Sequence, residues 1–288
     1  MDTAALLKKV RRIELKTRGL SNQIFSGEYH SAFKGRGMAF SEVREYVTGD
    51  EIRTIDWNVT ARLNHPYVKV FEEERELTVI ILVDISGSDS FGTGRQLKKS
   101  QITEICAVLA FSAIQNNDKI GVIFFSDQVE KFIPPKKGKS HILRIIRELI
   151  EFEPEHRQTN IDQALRYLIN GVKKRSIAFL ISDFMDDGYE KALKIANKKH
   201  DLVALRVYDP REQELPDMGL VPFRDAETGQ LEWINTSSKK VRTAYKSKAL
   251  EHESKVQDLF RRSGVDHVSI AADENYIRPL MTLFKRRG

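Results

Sequence analysis

What most constrains this chain is an alternation that begins at residue 78. Apolar, β-branched runs take turns with amphipathic helical patterns almost to the last residue. "TVIILVD" at 78–84 is apolar on both faces, as a strand covered on both sides of a sheet must be. "RQLKKSQITEICAVLAFSAIQN" follows, with apolar residues at 102, 105, 106, 109, 110 and 113, one face of a long helix. "KIGVIFFS" predicts a strand and "QVEKFIPP" its antiparallel hairpin mate. Next come the helices "KSHILRIIRELIEF" and "NIDQALRYLINGV", with Gly171 suited to a C-cap of the second. Strand "SIAFLISD", helix "GYEKALKIANKK" and strand "DLVALRVYD" continue the pattern. A hairpin "LVPFRD-AETG-QLEWIN", a long helix near 238–262, a strand "DHVSIA" and a last helix "YIRPLMTLFKRR" complete it. The order predicts an α/β fold with a doubly wound, mostly parallel sheet flanked by helices on both faces.

Residues before 78 have another character. Residues 3–18 predict an amphipathic helix that Gly19 would close. Residues 19–76 hold Gly19, Gly27, Gly35, Gly37 and Gly49 and predict loops, short strands such as "YVKVFEE", and one short helix near "FSEVREYV". The expected division is an N-terminal helix and extension over 1–76, packed on a main domain over 77–288 with a hairpin insertion near 215–236.

Composition narrows the class. The 288 residues are 41% hydrophobic, ordinary for a globular chain, and no window is apolar over the roughly 18 residues a membrane helix needs. The charged N-terminus lacks the apolar core of a secretory signal. One cysteine, Cys106, allows neither an intramolecular disulfide nor a cysteine metal cluster, and fits a reducing cytoplasm. Its setting, "ITEICAVLAF", predicts a core position. The net charge of +6 is spread over mixed-sign faces, with acidic "VFEEERE" at 70–76 against basic stretches at 8–12, 134–141 and 284–288. Few aromatics interleave with those basic residues, which argues against a nucleic-acid stacking surface.

The strand at 78–84 ends in Asp84-Ile85-Ser86-Gly87-Ser88. A phosphate loop fails, because Gly138-Lys139-Ser140 has Ile133 where its first glycine belongs. A dinucleotide fingerprint fails at Leu97, where the third glycine would follow Gly92 and Gly94. A nucleophile elbow needs a glycine two residues before Ser86, where Asp84 stands. His156 in "PEHRQTN" is the nearest candidate base and reads as a loop residue. No catalytic constellation emerges, so neither a Mg²⁺-dependent hydrolase nor a nucleic-acid-binding protein is favoured. A metal site fares better. Asp84 sits where open α/β sheets place ligands, and carboxylate and hydroxyl oxygens suit Mg²⁺ or Mn²⁺. Strand "SIAFLISD" also ends in a carboxylate, Asp183, and "HRQTNIDQAL" offers Thr159 just before a helix, where Thr159 or Asn160 would equally serve as a cap.

Asp84, Ser86, Ser88, Thr159 and Asp183 together resemble the metal-ion-dependent adhesion site of von Willebrand factor A domains, and the strand order resembles that fold. The stretch from Gly35 to Trp57 reads G-x-G-x-x-F-x-x-x-R-x-Y-x-x-G-D-x-x-R-x-I-D-W and resembles the lead-in of the bacterial domain-of-unknown-function-58 family. That resemblance implies an adaptor or partner of a MoxR-type AAA+ ATPase in protein maturation, with no established catalysis. It also implies that Ser86, Ser88 and Thr159 would contact the metal directly, and that Asp84 and Asp183 would act through coordinated waters. An acidic residue of a protein partner would complete the metal's shell. Arg44, Asp50, Arg53, Asp56 and Trp57 predict a buried salt-bridge and packing network tying the first 76 residues to the main domain.

Overall fold

The computed structural model describes residues 11, 13, 14, 39–72, 77–86, 95–224 and 231–287. The chain divides into two units, Lys34–Leu77 and Met1–Phe33 with Thr78–Gly288. The predicted helix at 3–18 and its cap Gly19 lie almost wholly outside the described residues.

In the smaller unit, β1 (Ala39–Glu45) pairs antiparallel with β2 (Tyr67–Glu72), and α1 (Trp57–Leu63) lies between them in sequence. The segment expected to be a short helix near "FSEVREYV" is therefore a strand. An isolated helix of two turns leaves most of its end groups without partners, whereas pairing with β2 gives the stretch inter-strand partners along one edge, with an irregularity between Phe40 and Glu42. The expected buried charge network is corrected as well. Arg44 clamps Asp50 with two bonds of 2.8 and 2.7 Å, but their side chains are 42% and 21% exposed. Asp56 caps α1 by accepting from the amides of Asn58 and Val59. Arg53 and Trp57 face solvent, Trp57 being 67% exposed. The charges serve local turns and caps, because so short a unit has little interior in which to bury them.

The larger unit is built on a six-stranded sheet. Its strands are β3 (Thr78–Asp84), β4 (Lys119–Phe125), β5 (Val129–Lys136), β6 (Ile177–Ser182), β7 (Asp201–Tyr208) and, last in sequence, Asp266–Ala271. A separate hairpin, β8 (Leu220–Arg224) and β9 (Leu231–Asn235), precedes that last strand, which is thus β10. The sheet order is β10-β7-β6-β3-β4-β5, parallel throughout except that β5 runs against β4. This is the predicted α/β arrangement, a doubly wound, mostly parallel sheet flanked by helices. Its helices are α2 (Arg95–Gln115), α3 (Lys139–Glu151), α4 (Ile161–Gly171), α5 (Glu190–Lys199), α6 (Lys239–Ser263) and α7 (Ile277–Arg287). No helix among the described residues is long and apolar enough to cross a membrane.

Burial follows the strand period. Ile80, Leu82, Ala178, Leu180, Leu202 and Ala204 form one sheet face, packed on α4, α5 and α6 through Leu165, Leu193 and Phe260. On the other face Phe179 meets Phe284 of α7 edge-on, with ring centres 6.3 Å apart. Cys106 is fully buried in α2, and burial pushes its thiol pKa far up, so it is a core residue as predicted. Gly171 is not a left-handed cap. It is the last residue of α4, and the chain leaves through Val172 in an extended conformation at φ −101°. Gly121 of β4 is required by space, since a Cβ there would lie 2.8 Å from the Ile133 carbonyl of β5.

His200 closes α5 and is fully buried, with Nδ1 2.9 Å from the Ser176 hydroxyl. Burial, then the nearby charges of Lys199 and Arg175, pushes its pKa down to about 4. An unfolded histidine titrates near 6.5, so the stability at stake is fully present above about pH 6.5 and is lost as pH falls toward about 4. By pH 5 this residue should cost the fold about 2 kcal/mol. His200→Gln should flatten that part of a urea-midpoint profile measured between pH 7.5 and 5, and an unchanged slope would assign the loss to other groups.

Candidate metal centre

β3 and β6 are parallel neighbours in register, Val83 beside Ile181, so both bring their last residues to one sheet edge. Asp84 ends β3 and Asp183 directly follows β6. Asp84, Ser86 and Asp183 are all at most 5% exposed. Ser86 folds back so that its amide donates to Asp84 Oδ1 at 3.0 Å. The Ser182 hydroxyl donates to Asp84 Oδ2 at 2.6 Å and accepts from the Phe184 amide at 3.0 Å. One hydroxyl thereby links the two strand ends. Asp183 Oδ1 accepts from the Met185 amide at 3.2 Å.

The Thr159 loop reaches the same edge. Ile85 N–H donates to the Phe125 carbonyl at the end of β4, and Asn160 N–H to the carbonyl of the next residue, Ser126. Asn160 caps α4 by accepting from Gln163 N–H at 2.9 Å. Asp186, from the loop after β6, accepts from Ile161 N–H at 2.8 Å. Thr159 is half-buried immediately before this double anchor. Upstream, Glu130 accepts from the amides of Glu155 and His156 and from the Ser126 hydroxyl, pinning the rest of the loop. His156 is 44% exposed beside Asp127, so it is a loop residue as expected. Ser88 lies outside the described residues.

Phe184 has a left-handed backbone, φ 60°, which costs a bulky residue on the order of 1–3 kcal/mol. Packing holds it there. Its ring is fully buried edge-on to Phe260 at 5.0 Å, and its carbonyl lies 2.9 Å from a ring nitrogen of His252. Arg206 of β7 donates Nε–H to the Asp183 carbonyl at 3.3 Å. The turn that aims Asp183 is thus held from three sides.

Electrostatics set the character of the edge. Burial, and then the negative charge of Asp183, pushes the Asp84 carboxyl up to about 6. The side chain of Lys98, in α2, is 5% exposed and places Nζ 2.9 Å from Asp183 Oδ2 and 3.2 Å from Glu212 Oε1. Glu212 closes a 3₁₀ turn, Pro210–Glu212, just after β7. Its carboxyl is raised by burial, against the pull of Lys98. Lys98, Ser182, Arg206 and Glu212 were not anticipated from sequence. A signal existed for Lys98, since the spacing 98, 102, 105, 109 puts it on the apolar face of its helix. Ser182, too, stands at a strand end beside an aspartate.

Among the described residues, no three His, Cys, Asp or Glu side chains gather in a metal-holding group. The candidate set instead joins two carboxylates to hydroxyls. All its donors are hard oxygens, and the charge of Asp183 is close enough to raise the pKa of Asp84. A hard divalent cation fits such a set by chemistry.

The family described as Protein of unknown function DUF58 matches residues 42–255. The chain belongs to this family. This DUF58 protein is similar to Uncharacterized protein Rv1480 of Mycobacterium tuberculosis, at 27% identity over 293 residues, 100% of this chain and 92% of the relative. It is also similar to Uncharacterized protein YeaD of Bacillus subtilis, at 26% identity over 109 residues, 38% of this chain and 25% of that one. BatB from Bacteroides thetaiotaomicron aligns with 73% of the DUF58 chain and 98% of its own, at 18% identity and a TM-score of 0.45. The SpRpn10 VWA domain aligns with 73% and 95%, at 13% identity and a TM-score of 0.37.

The Asp186 cap ties the loop after β6 to the start of α4. Asp186→Ala should lower stability by about 1 kcal/mol in urea denaturation and speed amide exchange at Ile161. Asp186→Asn, which keeps an acceptor oxygen, should retain most of both.

Proposed function

We propose that this DUF58 protein is a metal-dependent protein-interaction module, acting as an adaptor of a MoxR-type AAA+ ATPase in protein maturation or complex assembly. The observation that carries this reading is the meeting of Asp84, Ser86 and Asp183 at one buried strand edge, with the Thr159 loop anchored to the neighbouring strand end. Ser86, Ser88 and Thr159 would hold Mg²⁺ or Mn²⁺ directly, with Asp84 and Asp183 compensating its charge. When bound, the cation supplies a Lewis-acidic position open to a carboxylate from the partner. The chain's own contribution is positioning. Ser182 and the Ser86 amide orient Asp84, while Arg206 and the buried Phe184 turn orient Asp183. The MoxR-type partner is the expectation that the family resemblance carries.

Binding of the cation should stabilise the fold by about 2.7 kcal/mol at a metal concentration 100 times Kd. A thermal melt in Mg²⁺ or Mn²⁺ against EDTA should show an upward shift that Asp84→Ala abolishes. Purified MoxR-type ATPase should be retained on the immobilised protein in Mg²⁺ and released by EDTA or by Ser86→Ala. A melt indifferent to metal would remove the metal centre, and metal-independent retention would separate partner binding from it.

A further inference from the structure

Lys98 has a place in this site that the adhesion-site pattern does not include. Its ammonium is nearly buried and lies between two carboxylates, 2.9 Å from Asp183 Oδ2 and 3.2 Å from Glu212 Oε1. Those carboxylates are 3% and 15% exposed. Asp183 Oδ1 accepts from the Met185 amide and Oδ2 faces Lys98, so the ammonium already compensates the charge that an incoming cation would need from this carboxylate. An ammonium and a divalent cation compensated by one carboxylate repel strongly where little water screens them. The Asp183 carboxylate is itself held by the Met185 amide on Oδ1. Its backbone is held by Arg206 and by the packed Phe184 turn. The lysine is the mobile party, a point charge on a flexible stem with a second acceptor already within reach.

We propose that Lys98 is a tethered competitor for the metal, which neutralises Asp183 in the metal-free protein and withdraws to Glu212 when a divalent cation binds. This rests on the metal-centre reading above and adds two consequences. Metal affinity is held below what the oxygen set alone would give, so the site responds to metal concentration and does not hold its ion permanently. Metal occupancy is also felt at the Pro210–Glu212 turn, because Glu212 becomes the sole carboxylate partner of the ammonium among these two.

Calorimetric titration of the full chain with Mn²⁺ tests this, using wild type, Lys98→Met and Glu212→Gln, each checked for folding by circular dichroism. Lys98→Met should bind Mn²⁺ roughly tenfold more tightly, equivalent to about 1.4 kcal/mol of competition removed. Its Mn²⁺-induced rise in Tm should also exceed that of wild type. Glu212→Gln should bind more weakly, because the ammonium then loses the Glu212 charge that competes with Asp183 for it. If Lys98→Met does not fold, Glu212→Gln decides the matter. Wild-type or weaker affinity in Lys98→Met, or unchanged or tighter affinity in Glu212→Gln, would overturn the competition while leaving the metal centre intact. Mn²⁺ binding in neither wild type nor Lys98→Met would overturn both. Binding in Lys98→Met alone would support both.

Discussion

Two carboxylates end adjacent strands at one buried edge, and like charges there raise each other's energy of ionisation. Asp84 feels this directly, held up near 6 first by burial and then by Asp183. Its compensation is assembled from hydrogen bonds, the Ser86 amide on one oxygen and the Ser182 hydroxyl on the other. Asp183 is compensated by a full positive charge, Lys98. A buried ion pair is weak evidence for stability, since desolvation consumes much of its Coulomb energy. At this edge it is better understood as the means by which the fold tolerates two carboxylates at adjacent strand ends.

The surroundings are arranged to keep that pair from relaxing. Phe184 accepts a left-handed backbone because its ring is locked among Phe260 and Tyr189 and its carbonyl faces His252. Arg206 lies 4.8 Å over the Tyr208 ring and holds the Asp183 carbonyl, with Glu253 3.4 Å from its guanidinium. Glu130 and Asp186 fix the loop carrying Thr159 at both ends. Sites on rigid elements with packed support keep their geometry, and here the support comes from β4, β6, β7, α4 and α6 together.

The smaller unit shows a different economy. Its long motif from Gly35 to Trp57 suggested a buried network, yet Arg44 and Asp50 pair locally and Trp57 faces solvent. Val47, Ile52 and Leu63 are also more than half exposed. Charges spaced as in that motif can serve turns and helix caps as well as cores. Residue types alone do not distinguish the two, because burial depends on what else packs nearby.

The larger unit was legible in the sequence wherever the signal was periodic. Six strands and their order along the chain followed from β-branched runs such as Thr78–Asp84, and the helices from apolar spacing of 3.6 residues, because both periods are set by local backbone geometry. The strand-end positions of Asp84 and Asp183 were legible for the same reason. Where the signal was local but short, as in Ala39–Glu45, pairing with a distant strand overruled it. Only the tertiary structure decided that Lys98, 85 residues from Asp183 and 114 from Glu212, would lie between them. Strand order, helix placement and the turn at Phe184 jointly determine that meeting, and none of these is encoded in the residues beside Lys98. The sequence determined which oxygens reach the edge; the packing decided which charge already stands among them.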